Sequence, residues 1–415
     1  MFKGIITQKS IISIVVLGLV LRLINLNQSL WLDEAITALT VKNNSLIQII
    51  TSFSPGDFHP PLYYLILKLW TNVFGYSEIA LRIPSVIFGV LTIFVVYKIG
   101  EKLSNKRTGL FAAILMAVNP LGVYYSQEAR MYSLAMMLVA GSIYFLQEKK
   151  WFWFVIFATA SLYTDYLPGL MLPVYFLLTK NRKILLAPVV LFFPWIPSFL
   201  AQISGGIGVS SSSWGDLLGR TNLKNFLLVP VKFVFGRISV PDTLVYIVGA
   251  VYAFILLKSR ELKYWLWLIV PLFLAALISI KIPIFTYFRF LFVLPAFCLL
   301  SAGSKKATIF VVLVSILSLA YFDLNPRFWR EDWRGAALYV KQDPGKIVMP
   351  NMAQSAPLEY YNVDLNANGK TAYLFRYVQE IFDPQDLQKQ QMEAEGYVKT
   401  EEKSFNNLLI WKYSL

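Results

Sequence analysis

Long apolar stretches, separated by short basic clusters, dominate the pattern of this chain. A helix that crosses a membrane needs about 20 mostly apolar residues, and it must be helical because lipid cannot satisfy open backbone groups. The stretches therefore predict an all-α polytopic membrane protein, with spans near 11–26, 82–100, 109–125, 131–147, 152–166, 167–179, 184–200, 242–257, 264–281, 288–303 and 307–322.

The basic clusters indicate how the chain is oriented. Lys and Arg collect in cytoplasmic loops of membrane proteins. We therefore place the N-terminus in the cytoplasm together with the five clusters at 102–107, 149–150, 180–183, 258–263 and 305–306. An odd number of spans, about eleven, then puts the C-terminal tail outside the plasma membrane.

Two further apolar stretches fall on the predicted outer side. His59–Gly75 is short and follows two prolines, and Asn225–Ser239 carries Lys232 and Arg237. Both are predicted to be juxtamembrane helices that lie in the interface. The alternative is that His59–Gly75 spans the membrane, which would invert everything after it.

The tail from Asp323 onward changes to a polar, charged character, which predicts a domain boundary between 1–322 and 323–415. Lys346–Met349 and Leu408–Tyr413 read as strands, and Ala356–Tyr361 and Gln385–Glu395 as helices. We expect the tail to be a small extracytoplasmic α/β or α+β domain.

Composition supports this class and excludes others. Of the 415 residues, 57% are hydrophobic and 15% are charged, against about 25% charged in a typical soluble domain. The mean hydropathy is +0.56. The single Cys298 and single His59 exclude a disulfide framework, a zinc finger and an HExxH metalloprotease. The net charge of +14 comes from residues 1–322, as expected from topology rather than from nucleic-acid binding.

Charged side chains collect near the predicted outer ends of the spans. Charged side chains at membrane depth cost free energy, so each one is first considered as a candidate functional residue. Asp33 and Glu34 begin a helical stretch, where they either cap the helix or act in catalysis. A second group, Glu128, Arg130 and Tyr132, follows the third span, where an Arg–Glu pair that stabilises a hairpin is the alternative.

Three arginines, Arg22, Arg82 and Arg289, also lie near outer ends of spans, on the side opposite to the basic clusters. Arginine is suited to bidentate contact with phosphate. Carboxylates and arginines together fit a phosphate-carrying lipid and a hydroxyl that must lose a proton. No nucleotide-binding fingerprint is present.

The motifs together resemble the GT-C membrane glycosyltransferases, in the bacterial branch related to protein O-mannosyltransferases and lipid A aminoarabinose transferases (glycosyltransferase family 39-like). The resemblance covers about the first 340 residues. It rests on Arg22, 31–34 (WLDE), 59–64 (HPPLYY), 82–85 (RIPS), 126–130 (SQEAR), 286–290 (TYFRF) and 331–337 (EDWRGAA).

The resemblance implies a GT-C fold and transfer of a hexosyl or pentosyl group from a polyprenyl-phosphate carrier, usually with inversion. Asp33 matches the catalytic acid of the first loop and Glu34 its neighbour, while Glu128 matches a second acid. The role of Glu128 stays open between acceptor orientation, a metal and pairing with Arg130. Arg22 and Arg289 match positions associated with the carrier phosphate. Supporting substrate-binding positions are His59, Tyr63, Arg82, Arg130 and Tyr132.

The partners that the resemblance implies are the lipid-linked donor, membrane lipids and a lipid, glycan or protein acceptor. The large outer insertion of the protein mannosyltransferases is missing, which weakens protein as the acceptor. The sequence leaves open whether a divalent metal ion is needed. Two competing functions remain, a transporter or flippase of lipid-linked sugars and a membrane scaffold without catalytic activity.

Overall fold

The computed structural model describes residues 2–210, 222–239, 241, 243, 247 and 261–415. A helical body is followed by a small domain built on a sheet, as the sequence predicted. Within the described ranges, three helices are long and apolar enough to cross a membrane: Glu78–Leu103, Arg182–Gly208 and Lys305–Asp323. A bent pair, Lys106–Val118 with Pro120–Gln127, brings the total to four if it counts as one span.

Each predicted span other than 242–257 falls on one or more helices, while 242–257 lies almost wholly outside the described residues. The number of crossings and their orientation stay predictions. The helices of the body are Phe2–Leu23, Leu32–Asn43, Leu46–Gln48, Ile49–Phe53, Ser54–Gly56, Leu62–Phe74, Glu78–Leu103, Lys106–Val118, Pro120–Tyr124, Tyr125–Gln127, Tyr132–Gln147, Trp151–Leu162, Leu167–Met171, Leu172–Leu178, Arg182–Leu185, Leu186–Phe192, Phe193–Trp195, Ile196–Ser210, Leu223–Phe235, Leu262–Ile278, Tyr287–Val293, Leu294–Ala302 and Lys305–Asp323.

Two glycines let neighbouring helices of the body pack closely. The helices Glu78–Leu103 and Lys106–Val118 form a hairpin in which Gly100 faces Gly109. A Cβ on Gly109 would lie 2.7 Å from the carbonyl oxygen of Tyr97 and 2.9 Å from the backbone nitrogen of Glu101. Because those are backbone atoms, only glycine fits there without moving a helix.

The bend after Val118 turns the chain toward the candidate site. Asn119 has an extended backbone (ψ 124°), as expected before a proline, and Pro120 opens the next helix. The Asn119 side chain accepts a hydrogen bond from the Gly122 amide at 2.9 Å and donates one to the Phe233 carbonyl at 2.6 Å. The helices on the two sides of the bend meet at 58°.

The C-terminal domain carries a four-stranded mixed sheet in the order β1-β2-β4-β3. The strands are β1 (Lys346–Val348), β2 (Thr371–Phe375), β3 (Val398–Phe405) and β4 (Leu408–Ser414), with β1 parallel to β2 and the other pairs antiparallel. The helices of this part are Pro326–Phe328, Trp333–Gln342, Met352–Gln354, Ala356–Tyr360, Gln379–Phe382 and Leu387–Ala394.

The predicted strands near 346 and 408 and the predicted helices near 356 and 387 are confirmed, whereas β2 and β3 were not predicted. The side chains of β3 are exposed along almost its whole length, so β3 lacks the apolar alternation that marks a half-buried strand. The core of the domain lies around Trp333, which stacks on Phe375 of β2.

Candidate active site

Asp33 and Glu34 lie in the first turn of the Leu32–Asn43 helix, as the sequence predicted. Trp31 precedes the helix with an extended backbone, and its side chain makes no capping hydrogen bond. Successive helical residues point about 100° apart, so the two acids face different surroundings. The Asp33 side chain keeps 35% of its surface exposed, whereas the Glu34 side chain is completely buried.

Glu34 is held by a network of donors. Arg82 contacts both of its carboxylate oxygens, with Nε–Oε1 at 2.8 Å and Nη2–Oε2 at 2.5 Å. The backbone amide of Ala129 donates to Oε1 at 2.8 Å. Burial alone would raise the pKa of Glu34, but the charges of Arg330 and Arg82 hold it below the usual value. Glu34 is therefore a charged, immobile anchor between the first loop and the segment around residue 129.

The environment of Arg82 corrects the expectation that it contacts substrate. Its other donors reach the carbonyl oxygens of Leu26, Gln28 and Ser29. Together with the two bonds to Glu34, these contacts use all five N–H groups of the guanidinium. Arg82 has no donor left for a phosphate.

Arg22 also makes its contacts within the protein. It is completely buried, and it donates to the carbonyl oxygens of Gly18, Met116 and Ala117 and to the hydroxyl of Ser126. The carbonyls of Met116 and Ala117 lie at the C-terminal end of the Lys106–Val118 helix, where the last backbone acceptors lack helical partners. Arg22 therefore has structural contacts, and its role at the carrier phosphate stays a prediction.

Glu128 pairs with a different arginine from the one expected. Its Oε1 lies 3.0 Å from Nη1 of Arg330, in the segment that leads into the C-terminal domain. Arg130 turns instead toward the first-loop helix, where it contacts Thr37 at 3.3 Å and Asp33 at 3.6 Å. Burial raises the pKa of Glu128 despite the neighbouring charge of Arg330.

Asp57 is an acid of the site that the sequence reasoning missed. Its Oδ2 accepts a hydrogen bond from the hydroxyl of Tyr64 at 2.7 Å and lies 3.3 Å from Nδ1 of His59. Burial alone would raise the pKa of Asp57, but His59 and the charge of Arg130 hold it well below the usual value. A signal was available, because Asp57 stands two residues before the His59 that was singled out.

The adjacent tyrosines of the 59–64 motif contact different partners. The Tyr63 hydroxyl meets Ser85 at 3.1 Å in a buried contact. Tyr64 is the residue that reaches Asp57. His59 is a partner of Asp57 in the structure, and its supporting role in substrate binding stays a prediction.

Tyr132 shows that the predicted residues converge. It stands two residues after Arg130, whose side chain contacts Asp33 at 3.6 Å. The ring packs edge-on against Tyr125 and Phe288. Residues from the first loop, the segment after the third predicted span and the late motif near 289 therefore surround one aromatic side chain.

A second cationic group borders this region. Arg237 stacks on the ring of Tyr124 with its guanidinium 4.5 Å from the ring centroid and also donates to the Tyr124 hydroxyl. The Lys232 ammonium lies 5.6 Å from the centroid of Tyr287. Beside them runs a narrow crevice lined by Pro120, Val123, Tyr124, Gln127, Phe235, Arg237, Ile238, Ser318, Leu319, Phe322 and Asp323. Sequence reasoning had noted Lys232 and Arg237 only as cations within an apolar stretch.

Within the described part of the chain, no group of three or more His, Cys, Asp or Glu side chains is arranged to hold a metal ion. The nearest approach is the pair of Asp57 and His59, and the Asp57 oxygen in this contact already accepts from Tyr64. The need for a metal stays open.

Three comparisons with known proteins bear on this arrangement. Residues 58–204 match the family model described as dolichyl-phosphate-mannose-protein mannosyltransferase. No curated protein matches the chain. Among solved structures, the chain is similar to ArnT from Cupriavidus metallidurans bound to undecaprenyl phosphate, at 11% identity over 97% of each chain and a TM-score of 0.55.

The chain is also similar to the archaeal oligosaccharyltransferase AglB from Archaeoglobus fulgidus, solved with an inhibitory peptide and a dolichol-phosphate. The match covers 99% of this chain and 74% of AglB, with 11% identity and a TM-score of 0.56. At this identity the likeness speaks for the fold. The family match and the shared fold together confirm the resemblance to the GT-C membrane glycosyltransferases that the sequence motifs carry.

Proposed function

We propose that the chain transfers a sugar from a polyprenyl-phosphate carrier to an acceptor hydroxyl at the outer face of the cytoplasmic membrane, with Asp33 as the general base. The observation that carries the proposal is the different state of neighbouring acids around Tyr132. Glu34 and Glu128 are buried and paired with arginines, whereas Asp33 is one-third exposed and its carboxylate lies 3.6 Å from Arg130. Asp33 is therefore the acid that an incoming hydroxyl can reach.

Asp57 is the competing candidate for the base. It is partly exposed as well, but one of its oxygens is engaged by both Tyr64 and His59. These donors and Arg130 favour the charged carboxylate, which makes Asp57 a weaker proton acceptor. We assign Asp57 to substrate orientation and Asp33 to proton removal.

The proposed reaction is a single displacement at the anomeric carbon. The acceptor hydroxyl loses its proton to the Asp33 carboxylate while its oxygen forms a bond to that carbon from the face opposite the phosphate. The bond between the carbon and the phosphate oxygen breaks, and its electron pair leaves with the carrier phosphate, so the configuration inverts. Fixed cations stabilise the charge that develops on the leaving phosphate.

Three cations around the site suit the carrier phosphate better than Arg22 and Arg82 do. Arg289 makes a 3.5 Å contact with the carbonyl of Pro283, and the preceding residue, Phe288, packs edge-on against Tyr132. Arg237 lies over the ring of Tyr124 and lines the crevice, and Lys232 lies over the ring of Tyr287. Most of the residues that line the crevice are apolar, which fits the first isoprene units of a lipid whose phosphate meets Arg237.

The solved neighbours support a lipid-phosphate donor, since one holds undecaprenyl phosphate and the other a dolichol-phosphate. The acceptor is a lipid, a glycan or a protein hydroxyl. We propose that positive side chains supply the charge that the leaving phosphate needs, so that transfer continues after chelation of divalent ions.

The test is transfer of radiolabelled sugar from candidate polyprenyl-phosphate donors by the purified full chain in nanodiscs. Asp33→Asn keeps the size of the side chain and removes the base, so we expect at least a hundredfold loss of kcat, in the range of general-base contributions. The matched control is Asp364→Asn in an exposed turn of the C-terminal domain, where the new amide oxygen still accepts from the Asn366 amide. Wild-type rates in Asp33→Asn would refute the assignment of the base.

A further inference from the structure

We propose that the C-terminal domain completes the transfer site by placing Arg330, from its linker, between the buried carboxylates of Glu34 and Glu128. This inference rests on the proposed function and gives the C-terminal domain a part in it. Arg330 is a positioning residue, because it acts on the reaction through other side chains.

Arg330 makes contacts that a surface linker does not need. Its side chain is 4% exposed, with Nη1 3.0 Å from Glu128 Oε1 and 3.6 Å from Glu34 Oε2. Nη2 donates to the carbonyl of Gln127 at 2.9 Å, and the guanidinium lies 4.7 Å from the Tyr124 ring centroid. The backbone amide of Arg330 donates to the side chain of Gln28 at 3.0 Å.

Charge neutrality explains why a second arginine is required. Glu34 and Glu128 are both buried, and the bidentate contacts of Arg82 go to Glu34. Without Arg330, Glu128 would be a buried carboxylate lacking its ion-pair partner, and its second oxygen already has no hydrogen-bond partner among the described residues. An uncompensated buried charge is strongly unfavourable.

The β3–β4 hairpin turn holds the linker on both sides of Arg330. The side-chain amide of Asn406 donates to the carbonyls of Trp329 at 3.3 Å and Arg330 at 3.0 Å. The backbone of Asp332 donates to the carbonyl of Asn406 at 3.0 Å. Asn407 adds a donation to the Trp329 carbonyl at 2.9 Å. The conformation of the linker is therefore set by the sheet domain.

A second set of contacts fixes the domain on the body. Arg334 reaches Glu78 at 2.6 Å, and the Tyr361 hydroxyl donates to the same carboxylate at 2.9 Å. The backbone amide of Leu30, three residues before Asp33, donates to the Tyr361 hydroxyl at 3.0 Å. The C-terminal domain therefore contacts the first loop through Tyr361 as well as through Arg330.

Arg330 reaches the reacting group through a short path. Glu34, next to Asp33, accepts from the amide of Ala129, which is next to Arg130. Arg330 bridges Glu34, Glu128 and the Gln127 carbonyl, so it fastens the first-loop helix to the 127–130 segment. Asp33 follows Leu32 in the same helix and contacts the buried Arg130 of the 127–130 segment at 3.6 Å, so both elements that Arg330 joins also carry this pair.

The first experiment compares Arg330→Lys and Arg330→Met with Arg327→Met, in full-length protein in nanodiscs. Arg327 lies on the same linker, and its side chain contacts Tyr321 and Phe328. Its backbone carbonyl, which accepts from Asn407, is kept in Arg327→Met, so this substitution should not change transfer. We expect Arg330→Met to lower kcat by about 10- to 100-fold, the scale of a small misplacement of catalytic groups. The KM for the donor should stay within about threefold of wild type, because the phosphate-binding cations are untouched.

The pH profile separates positioning from general damage. Removing the positive charge of Arg330 disfavours the charged forms of the carboxylates around it, Glu128 among them, so the acid limb of the kcat profile should move to higher pH in Arg330→Met. Arg330→Lys keeps the positive charge. Its kcat and the pH of its acid limb should therefore both lie between those of wild type and Arg330→Met. An unchanged kcat and limb in Arg330→Met, or equal losses in Arg327→Met, would overturn the inference and leave the proposed function standing.

A second experiment does not depend on turnover. We expect Asn406→Ala, which releases the linker carbonyls, to increase amide hydrogen exchange in residues 127–131 and 32–35. Asn366→Ala in an exposed turn of the same domain should leave those amides unchanged. Unaltered exchange in Asn406→Ala and Arg330→Met would reject the inference, whereas a wild-type protein without transferase activity would reject the proposed function instead.

Discussion

Residues that are adjacent in sequence carry opposite tasks at this site. Asp33 is accessible and Glu34 is locked, while Tyr64 meets an acid and Tyr63 is buried against Ser85. Sequence motifs give the residue types but not which member of a pair is buried, because this depends on where a helix begins and on partners in other segments of the chain. The same reasoning applies to the arginines. Arg82 donates to three carbonyls and to Glu34, and Arg22 donates to three carbonyls and the hydroxyl of Ser126.

At this scale we predict that Arg237→Gln raises the KM for the lipid-linked donor about 10- to 100-fold, because a charge-assisted hydrogen bond to phosphate is worth about 1.5–3 kcal/mol. The effect on kcat should be smaller. Arg107→Gln, an exposed arginine over the ring of Phe111, is the matched control. Steady-state kinetics with varied donor measure the difference, and an unchanged KM in Arg237→Gln would remove Arg237 from the carrier site.

At the scale of elements, hydrophobic runs located the helices well because apolar length is a strong signal. They did not show the bend at Asn119, which directs the chain into the 125–131 segment. Nor did they show that Asp57 contacts Tyr64 and His59, because a turn between short helices has no hydrophobic periodicity. The relative positions of the helices depend on how closely they pack, and Gly100 and Gly109 allow one such close contact.

Gly109→Ala should therefore destabilise the protein by about 1–3 kcal/mol, since overpacking against rigid atoms costs this much. The new methyl would lie 2.7 Å from the Tyr97 carbonyl oxygen, and neither atom can move without its helix. In Gly208→Ala, none of the described atoms lies within 4 Å of the new methyl, and the substitution should be neutral or slightly stabilising. Thermal unfolding in detergent measures the transition temperatures of both variants. Equal transition temperatures for Gly109→Ala and Gly208→Ala would contradict the close packing at Gly109.

At the scale of the whole molecule, two parts of the chain build one site. The body supplies Asp33, Asp57 and the cations, and the tail supplies Arg330, held by a hairpin turn 76 residues further along. Sequence predicted a helical part and a small C-terminal domain. It could not predict that the tail reaches back to Glu34 and Glu128, because an arginine in a linker carries no local mark of a contact about 200 to 300 residues away.

The central claim is that the carrier phosphate and Asp33 share one cavity. The most direct measurement is a cryo-electron microscopy map of the full chain in a nanodisc with bound polyprenyl phosphate. We predict phosphate density among Arg237, Lys232 and Arg289, with the prenyl chain in the crevice beside Phe235 and the Asp33 carboxylate facing the same cavity. Density for the phosphate at the opposite end of the helices, out of reach of Asp33, would contradict the account.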